Sequence, residues 1–506
     1  MARVRLRYSG LVLFSSRAFS MVMGLLFTVM VTRRLSVDEF GVWQYISVLL
    51  GYFILPSSVV SFWLTRDVAR GANVAKVGIL TNLLFSLVAV GLFVVASYPL
   101  SSGIGANVLY FLLCGLQLPE IYILNTLESV ANATRPEIFG YSVMVYESSK
   151  VIFALILVVI LRMGLTGSIV SVIIAYLAQI LMMGFALRQN IQGSLNKEAV
   201  KRWLSLFWIP IFNATANQLL LFDTIILVTL TESTLPTAML KAAQVFGAAI
   251  VMSGVLAAPL YPKLLAGGAA GDVDTALKMV LMFSIPSTIG VLILSEPLLS
   301  ILRIEYVQAW HTLIVVALVS FVNSVMGAMD AVLTGTERVD LTDNISFKRF
   351  VRSRLSLLPS LTFMQDIIYL SLLAPITFAL VKLGAGPNMI ALSAALISLM
   401  STMPIFYYKY RLAKRIVPFK FPFKAVCRYS IASLAMTVTL VLLYRFVVVS
   451  ENISKVLFTL LPIIGIAAVV YFMVLLLIDD DLRRILRTLR DYLIKIRLIY
   501  DITSYS

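Results

Sequence analysis

Apolar residues gather in fourteen runs along the chain, near residues 9 to 31, 42 to 64, 78 to 99, 106 to 131, 138 to 161, 166 to 187, 204 to 230, 236 to 261, 276 to 301, 310 to 334, 361 to 381, 387 to 408, 425 to 448 and 456 to 478. Each is close to the ~20 apolar residues that carry a helix across a hydrocarbon core about 30 Å thick. Short polar connections separate them. The pattern predicts an all-α, multi-pass membrane protein of about 14 transmembrane helices.

Composition agrees: 60% of residues are hydrophobic and 13% charged, well away from soluble-domain averages. The connections are too short to build a separate soluble domain of ordinary size. Cys114 and Cys427 both fall inside predicted spans, where a thiol acts as a small hydrophobe and no disulfide framework is implied. Arg3, Arg5 and Arg7 ahead of the first run imitate a signal peptide. That run is too long, however, carries Arg17, and ends at Thr32-Arg33-Arg34 with no small-residue cleavage site, so a retained helix is expected.

The net charge of +16 takes its meaning from where the bases sit. Counting Lys and Arg in the connections and at the span ends bordering them gives 31 on the side of the termini and 7 on the other. The positive-inside rule then places both termini in the cytoplasm, with the plasma membrane the expected location. No nucleic-acid-binding module accompanies the bases, so anionic membrane lipids are the expected partner rather than nucleic acid. Lys409, Arg411, Lys414, Arg415, Lys420 and Lys424 crowd one cytoplasmic connection. The tail from Asp479 places Leu482, Ile485, Leu486, Leu489, Leu493 and Ile496 at amphipathic-helix spacing, which suits a helix lying at the head groups.

The predicted organisation is a six-helix lobe at 1–188, a cytoplasmic linker at 189–203, a second six-helix lobe at 204–408, the basic connection at 409–424, two additional helices at 425–478 and the amphipathic tail at 479–506. Transporters are often built from such repeats, with the substrate held between them near the midplane.

An ionisable residue at the bilayer centre costs about 2.5–3.5 kcal/mol on insertion scales, so each calls for a partner, a wet cavity or a function. Arg17, Ser20, Gly24 and Thr28 share one face of the first span. Asn213, Asn217 and Thr224 share another in the seventh, with Asp223 at its edge; Asn323, Gly327, Asp330 and Thr334 do the same in the tenth. Glu147 and Lys150, three residues apart in the fifth, can neutralise each other. Lys241 lies in the eighth near its outer end, and Glu120 and Glu128 follow Pro119 in the fourth. The expected cavity lining is Ser20, Gly24, Thr28, Asn213, Asn217 and Asn323, and Asp223 and Asp330 are candidates for coupling to a cation, sodium or proton. No phosphate loop, paired His/Cys metal spacing or nucleophile elbow is present and His311 stands alone, so neither an enzyme nor a bound cofactor is expected.

The segment Thr32-Arg33-Arg34-Leu35-Ser36-Val37-Asp38-Glu39-Phe40-Gly41-Val42-Trp43, with Asp223-Thr224-Ile225-Ile226-Leu227 and Val332-Leu333-Thr334-Gly335-Thr336-Glu337, resembles the polysaccharide-exporter branch of the multidrug/oligosaccharidyl-lipid/polysaccharide exporter superfamily. The resemblance implies two six-helix lobes plus two helices working by alternating access. It also implies a flippase whose partner is a glycan linked to polyprenyl phosphate or pyrophosphate; apart from the resemblance, a monomer is the working expectation. The resemblance gives Arg17 and Arg33 or Arg34 to the anionic linkage, and Lys150 and Lys241 are the other bases within the spans. A cation-coupled exporter of small amphipathic molecules on the same fold, or a membrane glycosyltransferase, are the alternatives.

Overall fold

The structure, a computed structural model, describes residues 6–191, 196–265, 270–336, 354–480 and 482–483. The amphipathic tail beyond these and Glu337 lie outside the described residues. In chain order the helices are α1 (Leu6–Arg34), α2 (Val37–Ile54), α3 (Ser57–Ala69), α4 (Ala75–Gly103), α5 (Val108–Gly115), α6 (Gln117–Thr134), α7 (Pro136–Ala154), α8 (Gly164–Ala186), α9 (Lys197–Ser205), α10 (Trp208–Gln218), α11 (Phe222–Thr231) and α12 (Leu235–Val251). There follow α13 (Leu260–Leu265), α14 (Ala270–Ile293), α15 (Ser295–Leu302), α16 (Trp310–Gly335), α17 (Arg354–Lys382), α18 (Pro387–Ile416), α19 (Phe423–Tyr444) and α20 (Ile453–Ile478). Among the described residues twelve spans are long and apolar enough to cross a membrane, or fourteen when each of two bent helix pairs counts once. The chain is a multi-pass, all-α membrane protein.

Each bend has an identifiable cause. Between α2 and α3 the axis turns by 55° at Leu55-Pro56, where proline supplies no N–H and crowds the preceding turn. A carbonyl in that last turn, Phe53 O, accepts a hydrogen bond from the Tyr122 hydroxyl at 2.7 Å. The second bend, 42° between Pro210–Ala216 and Leu219–Thr231, has no proline at the break. There the Gln218 carbonyl accepts from the Tyr52 hydroxyl at 2.9 Å, an insertion into the helical ladder that kinks helices. Gly51 makes room: a Cβ on it would stand 2.5 Å from Gln218 Nε2.

Two compact units divide the chain: Met1–Ala242 with Ser356–Ser401, and Ala243–Leu355 with Thr402–Ser506. In the first, α2 starts with a capping box in which Ser36 Oγ accepts from the Glu39 N–H and the Glu39 carboxylate from the Ser36 N–H, satisfying two orphan donors. Asp38 accepts from Thr234 Oγ1 at 2.5 Å. Gly41 lies so close to the same residue that a Cβ would meet the Thr234 carbonyl oxygen at 2.6 Å. At the opposite end of the spans, α9 belongs to this unit's core. Trp203 is fully buried beside Val60, Leu64, Leu127 and Met183, its indole N–H donates to Asp67 Oδ2 at 2.8 Å, and Arg202 pairs with the same oxygen. The stretch 189–203, read as linker from its polar composition, therefore ends in a docked helix.

In the second unit small residues bring α12 and α16 together. A Cβ on Gly247 would stand 2.7 Å from Ser320 Oγ and one on Gly254 2.9 Å from the Ser324 carbonyl. Lys409 corrects a sequence reading. It lies within α18, which runs on to Ile416, so Lys409, Arg411, Lys414 and Arg415 continue a helix instead of forming a connection. The Lys409 ammonium is buried (4% of its side chain exposed) against Asp330 at 2.9 Å. Arg428 reaches Asp479 at 2.9 Å, and the Tyr471 hydroxyl donates to Met282 O at 2.6 Å, tying α19 and α20 together and α20 to α14.

Candidate functional site

Two charged clusters lie inside the spans of the first unit. The first is assembled by α1 against α7. Gly140 lets the two approach, since a Cβ there would meet Val12 Cγ1 at 2.8 Å. Two turns further along each helix, Ser20 Oγ donates to Glu147 Oε1 at 2.9 Å. The other carboxylate oxygen takes the Lys150 ammonium at 2.8 Å, one turn away on α7 as the spacing predicts. The Lys150 ammonium also lies 5.0 Å from the Phe27 ring centroid and 4.8 Å from that of Tyr146, within cation–π range. Tyr146 packs on Tyr176 of α8 with centroids 4.9 Å apart. Lys150 is thus held by a carboxylate and two ring faces.

The second cluster joins helices distant in sequence. Asp223, at the start of α11, and Lys241, on α12, form an ion pair at 3.7 Å with 4% and 11% of their side chains exposed. The Tyr369 hydroxyl of α17 donates to Asp223 Oδ2 at 3.4 Å, and Thr224 Oγ1 donates to Oδ1 at 3.0 Å. One turn before Tyr369, Asp366 is buried, and its Oδ2 has no hydrogen-bond partner. It is within electrostatic reach of Asp223, and Tyr52 of α2 is within reach of both. Asp223, paired with Lys241, and the buried Asp366 therefore lie within electrostatic reach of each other, with the one ammonium held on Asp223. A single added positive charge, a proton on Asp366 or a monovalent cation between the carboxylates, brings the cluster to neutrality. Asp366 was missed from the sequence, although a lone carboxylate in the apolar run 361 to 381 was a signal of the same kind as Asp223.

The remaining sequence candidates are scattered. Arg17 is exposed on α1 and makes no ion pair among the described residues. Gly24 has nothing within 4 Å of where a Cβ would stand, and Thr28 Oγ1 donates within its own helix, to Gly24 O at 2.9 Å. Arg33 is half-buried and Arg34 exposed in the last turn of α1. Asn213 and Asn217 lie on α10, with side chains outside the described ones. Asn323 is half-buried on α16, two turns before Asp330, in the second unit. Lys241 faces Asp223 instead of snorkelling outward. Among the described residues no group of three or more His, Cys, Asp or Glu is gathered to hold a metal ion.

No family model matches the sequence, and no curated protein matches it. Solved structures do. The chain is similar to the lipid II flippase MurJ in an inward closed conformation, with a TM-score of 0.65 at 16% identity over 93% of this chain and 99% of that one. It is also similar to an inward-facing multidrug resistance MATE family transporter of the MOP superfamily, with a TM-score of 0.57 at 12% identity over 78% of this chain and 95% of that one. The fold expected from the sequence, that of the exporter superfamily, is the fold of this chain.

Proposed function

We propose that this protein is a transporter that moves a lipid-linked oligosaccharide or polysaccharide precursor from the cytoplasmic to the outer leaflet by alternating access between two six-helix lobes. A phosphate or pyrophosphate linkage cannot cross hydrocarbon unaided and needs a cation inside the membrane to meet it. The observation that carries the reading is Arg17: of the bases within the spans of the first unit, Lys150 and Lys241 each face a carboxylate, whereas Arg17 is exposed, makes no ion pair among the described residues, and shares a helix face with Ser20 and Gly24. A guanidinium in that state is suited to bidentate binding of a phosphate. The fold it shares with a lipid II flippase supports the same reading. Arg33 and Arg34 at the end of that helix are the further bases proposed for the anionic linkage. Asp223 with Asp366 is proposed as the coupling site for sodium or a proton, the plasma membrane as the location, and the cytoplasm as the side of both termini.

The test is reconstitution with a fluorescent polyprenyl-pyrophosphate-linked oligosaccharide, scoring movement between leaflets. Native protein moves it; Arg17→Ala at equal abundance does not, and Arg17→Lys keeps part. Full transport by Arg17→Ala removes that residue from the site. A second reading, cation-coupled export of small amphipathic molecules, is favoured by the acidic surplus of the Asp223 cluster. It predicts no flipping and instead gradient-driven export of an amphipathic dye.

A further inference from the structure

We propose that Glu120 is a proton-binding site in the N-terminal helices, reached from the Thr134 end of its span through Glu128, Tyr176 and Tyr146, and separate from the Asp223 cluster. Glu120 sits in the first turn of α6, near the middle of the span Val108–Thr134; it is only 8% exposed, and its Oε2 has no hydrogen-bond partner. It is within electrostatic reach of Tyr146 on α7 and Tyr176 on α8, and both tyrosines are also within reach of Glu147. The single ammonium in this neighbourhood, Lys150, is already held by Glu147 at 2.8 Å and by the Phe27 and Tyr146 rings.

Among the described residues no salt bridge or hydrogen bond to Glu120 comes from the other helices packed on α6. On α3 and α4 the ionisable side chains near α6's cytoplasmic half are Arg66, which lies over Phe62, Asp67, which is taken by Arg202 and Trp203, and Lys76 in the first turn of α4. Tyr98 is exposed near the far end of α4, α5 offers Tyr110, and α2 offers Tyr45, packed on Phe111, and Tyr52, bonded to Gln218 O. A carboxylate buried with neither cation nor full hydrogen bonding is far costlier than the neutral acid. Glu147 is already balanced by Lys150, so Glu120, buried with no cation against it, is the carboxylate that one proton neutralises.

A route leads to it. Glu128 lies eight residues along α6 toward Thr134, about 12 Å at the helical rise, and is half-buried. Tyr176 is within electrostatic reach of Glu128 as well as Glu120, and its ring packs on that of Tyr146 with centroids 4.9 Å apart. A proton taken up at Glu128 passes to Glu120 as each hydroxyl accepts one proton and releases its own, leaving the tyrosines unchanged. The site itself stands on this geometry; its use in driving cargo movement rests on the transport reading above.

Infrared difference spectroscopy of the full-length protein in nanodiscs tests the site without any cargo. At neutral pH the native protein is expected to show a carboxylic-acid carbonyl band that shifts in heavy water. Glu120→Gln removes one carboxyl's share of it, whereas Asp223→Asn leaves that share in place. Should Glu120→Gln fail to fold, Tyr146→Phe with Tyr176→Phe retains Glu120 and is expected to move the pH at which the band disappears. An undiminished band in Glu120→Gln, or an unmoved pH in the double tyrosine variant, overturns the proposal. In proteoliposomes with the fluorescent lipid-linked oligosaccharide, native protein responds to an imposed pH gradient and Glu120→Gln does not. A band lost in the variant together with no flipping by native protein keeps the site and sinks the transport reading instead.

Discussion

Replacing Lys241 by methionine removes the only ammonium of the Asp223 cluster while keeping much of the side chain's length. At 3.7 Å the gross attraction between Lys241 and Asp223 is about 4 kcal/mol at an effective dielectric of about 20. The larger consequence is what stays behind: Asp223 and Asp366, both buried, lie within electrostatic reach of each other, and Asp223 keeps the Tyr369 and Thr224 hydroxyls. Removing one partner of a buried pair costs about 3–5 kcal/mol. The 3.7 Å separation puts Lys241→Met at the lower end, about 3 kcal/mol. Adding Asp223→Asn to Lys241→Met removes the carboxylate that lost its ion-pair partner and leaves Asp366 as the single acid of the cluster, so the double variant is expected to recover at least ~1 kcal/mol relative to the sum of the singles. Equilibrium unfolding in mixed micelles, carried out on all four proteins, gives the coupling. Losses that add to within about 0.5 kcal/mol would show that the two residues do not share a charge balance and would refute the neutrality argument for the cluster.

Three further outcomes are expected. Gly41→Ala places a Cβ 2.6 Å from the Thr234 carbonyl, a backbone atom that cannot step aside as a side chain can; disulfide formation between Asp38→Cys and Thr234→Cys should fall in that background, and unchanged cross-linking would show that α2 and the turn before α12 tolerate the extra atom. Asp67→Ala leaves the buried Trp203 N–H unpaired and releases Arg202, a loss of about 1–3 kcal/mol, read as faster amide exchange across 197–205; protection equal to native would mean that burial of Trp203 alone holds α9. Lys409→Met is expected to be nearly neutral only together with Asp330→Asn, since alone it strands a carboxylate, and thermal unfolding of the three variants measures this.

Most of the span count was legible because hydrophobic length is a local property, and so was the Glu147–Lys150 pair, because three residues on a helix are neighbours by construction. The bend at Pro56 announces itself by proline. The bend at Gln218 does not, because its cause, Tyr52, comes from another helix. The same limit hid the partner of Asp223: Lys241 and Asp366 lie on two other helices, and nothing in either local pattern says that they converge. Lys409 was read as one basic residue among many because a cluster of bases looks like a connection, whereas Asp330 draws that ammonium into the packed part of α18.

Tyr52 and Phe53 are consecutive residues, and each serves a different kink. The hydroxyl of Tyr52 closes the gap at Gln218, while the carbonyl of Phe53 is closed by Tyr122. Straightening α2 with α3 would draw both away together, and straightening α10 with α11 would leave Tyr52 without an acceptor. Each unmatched group in that interior costs about 1–3 kcal/mol, a roughly five- to more than hundredfold depletion of any form with one helix bent and the other straight. One last turn of α2 is shared between the two kinks, so a form with only one of them straightened would carry an unmatched polar group.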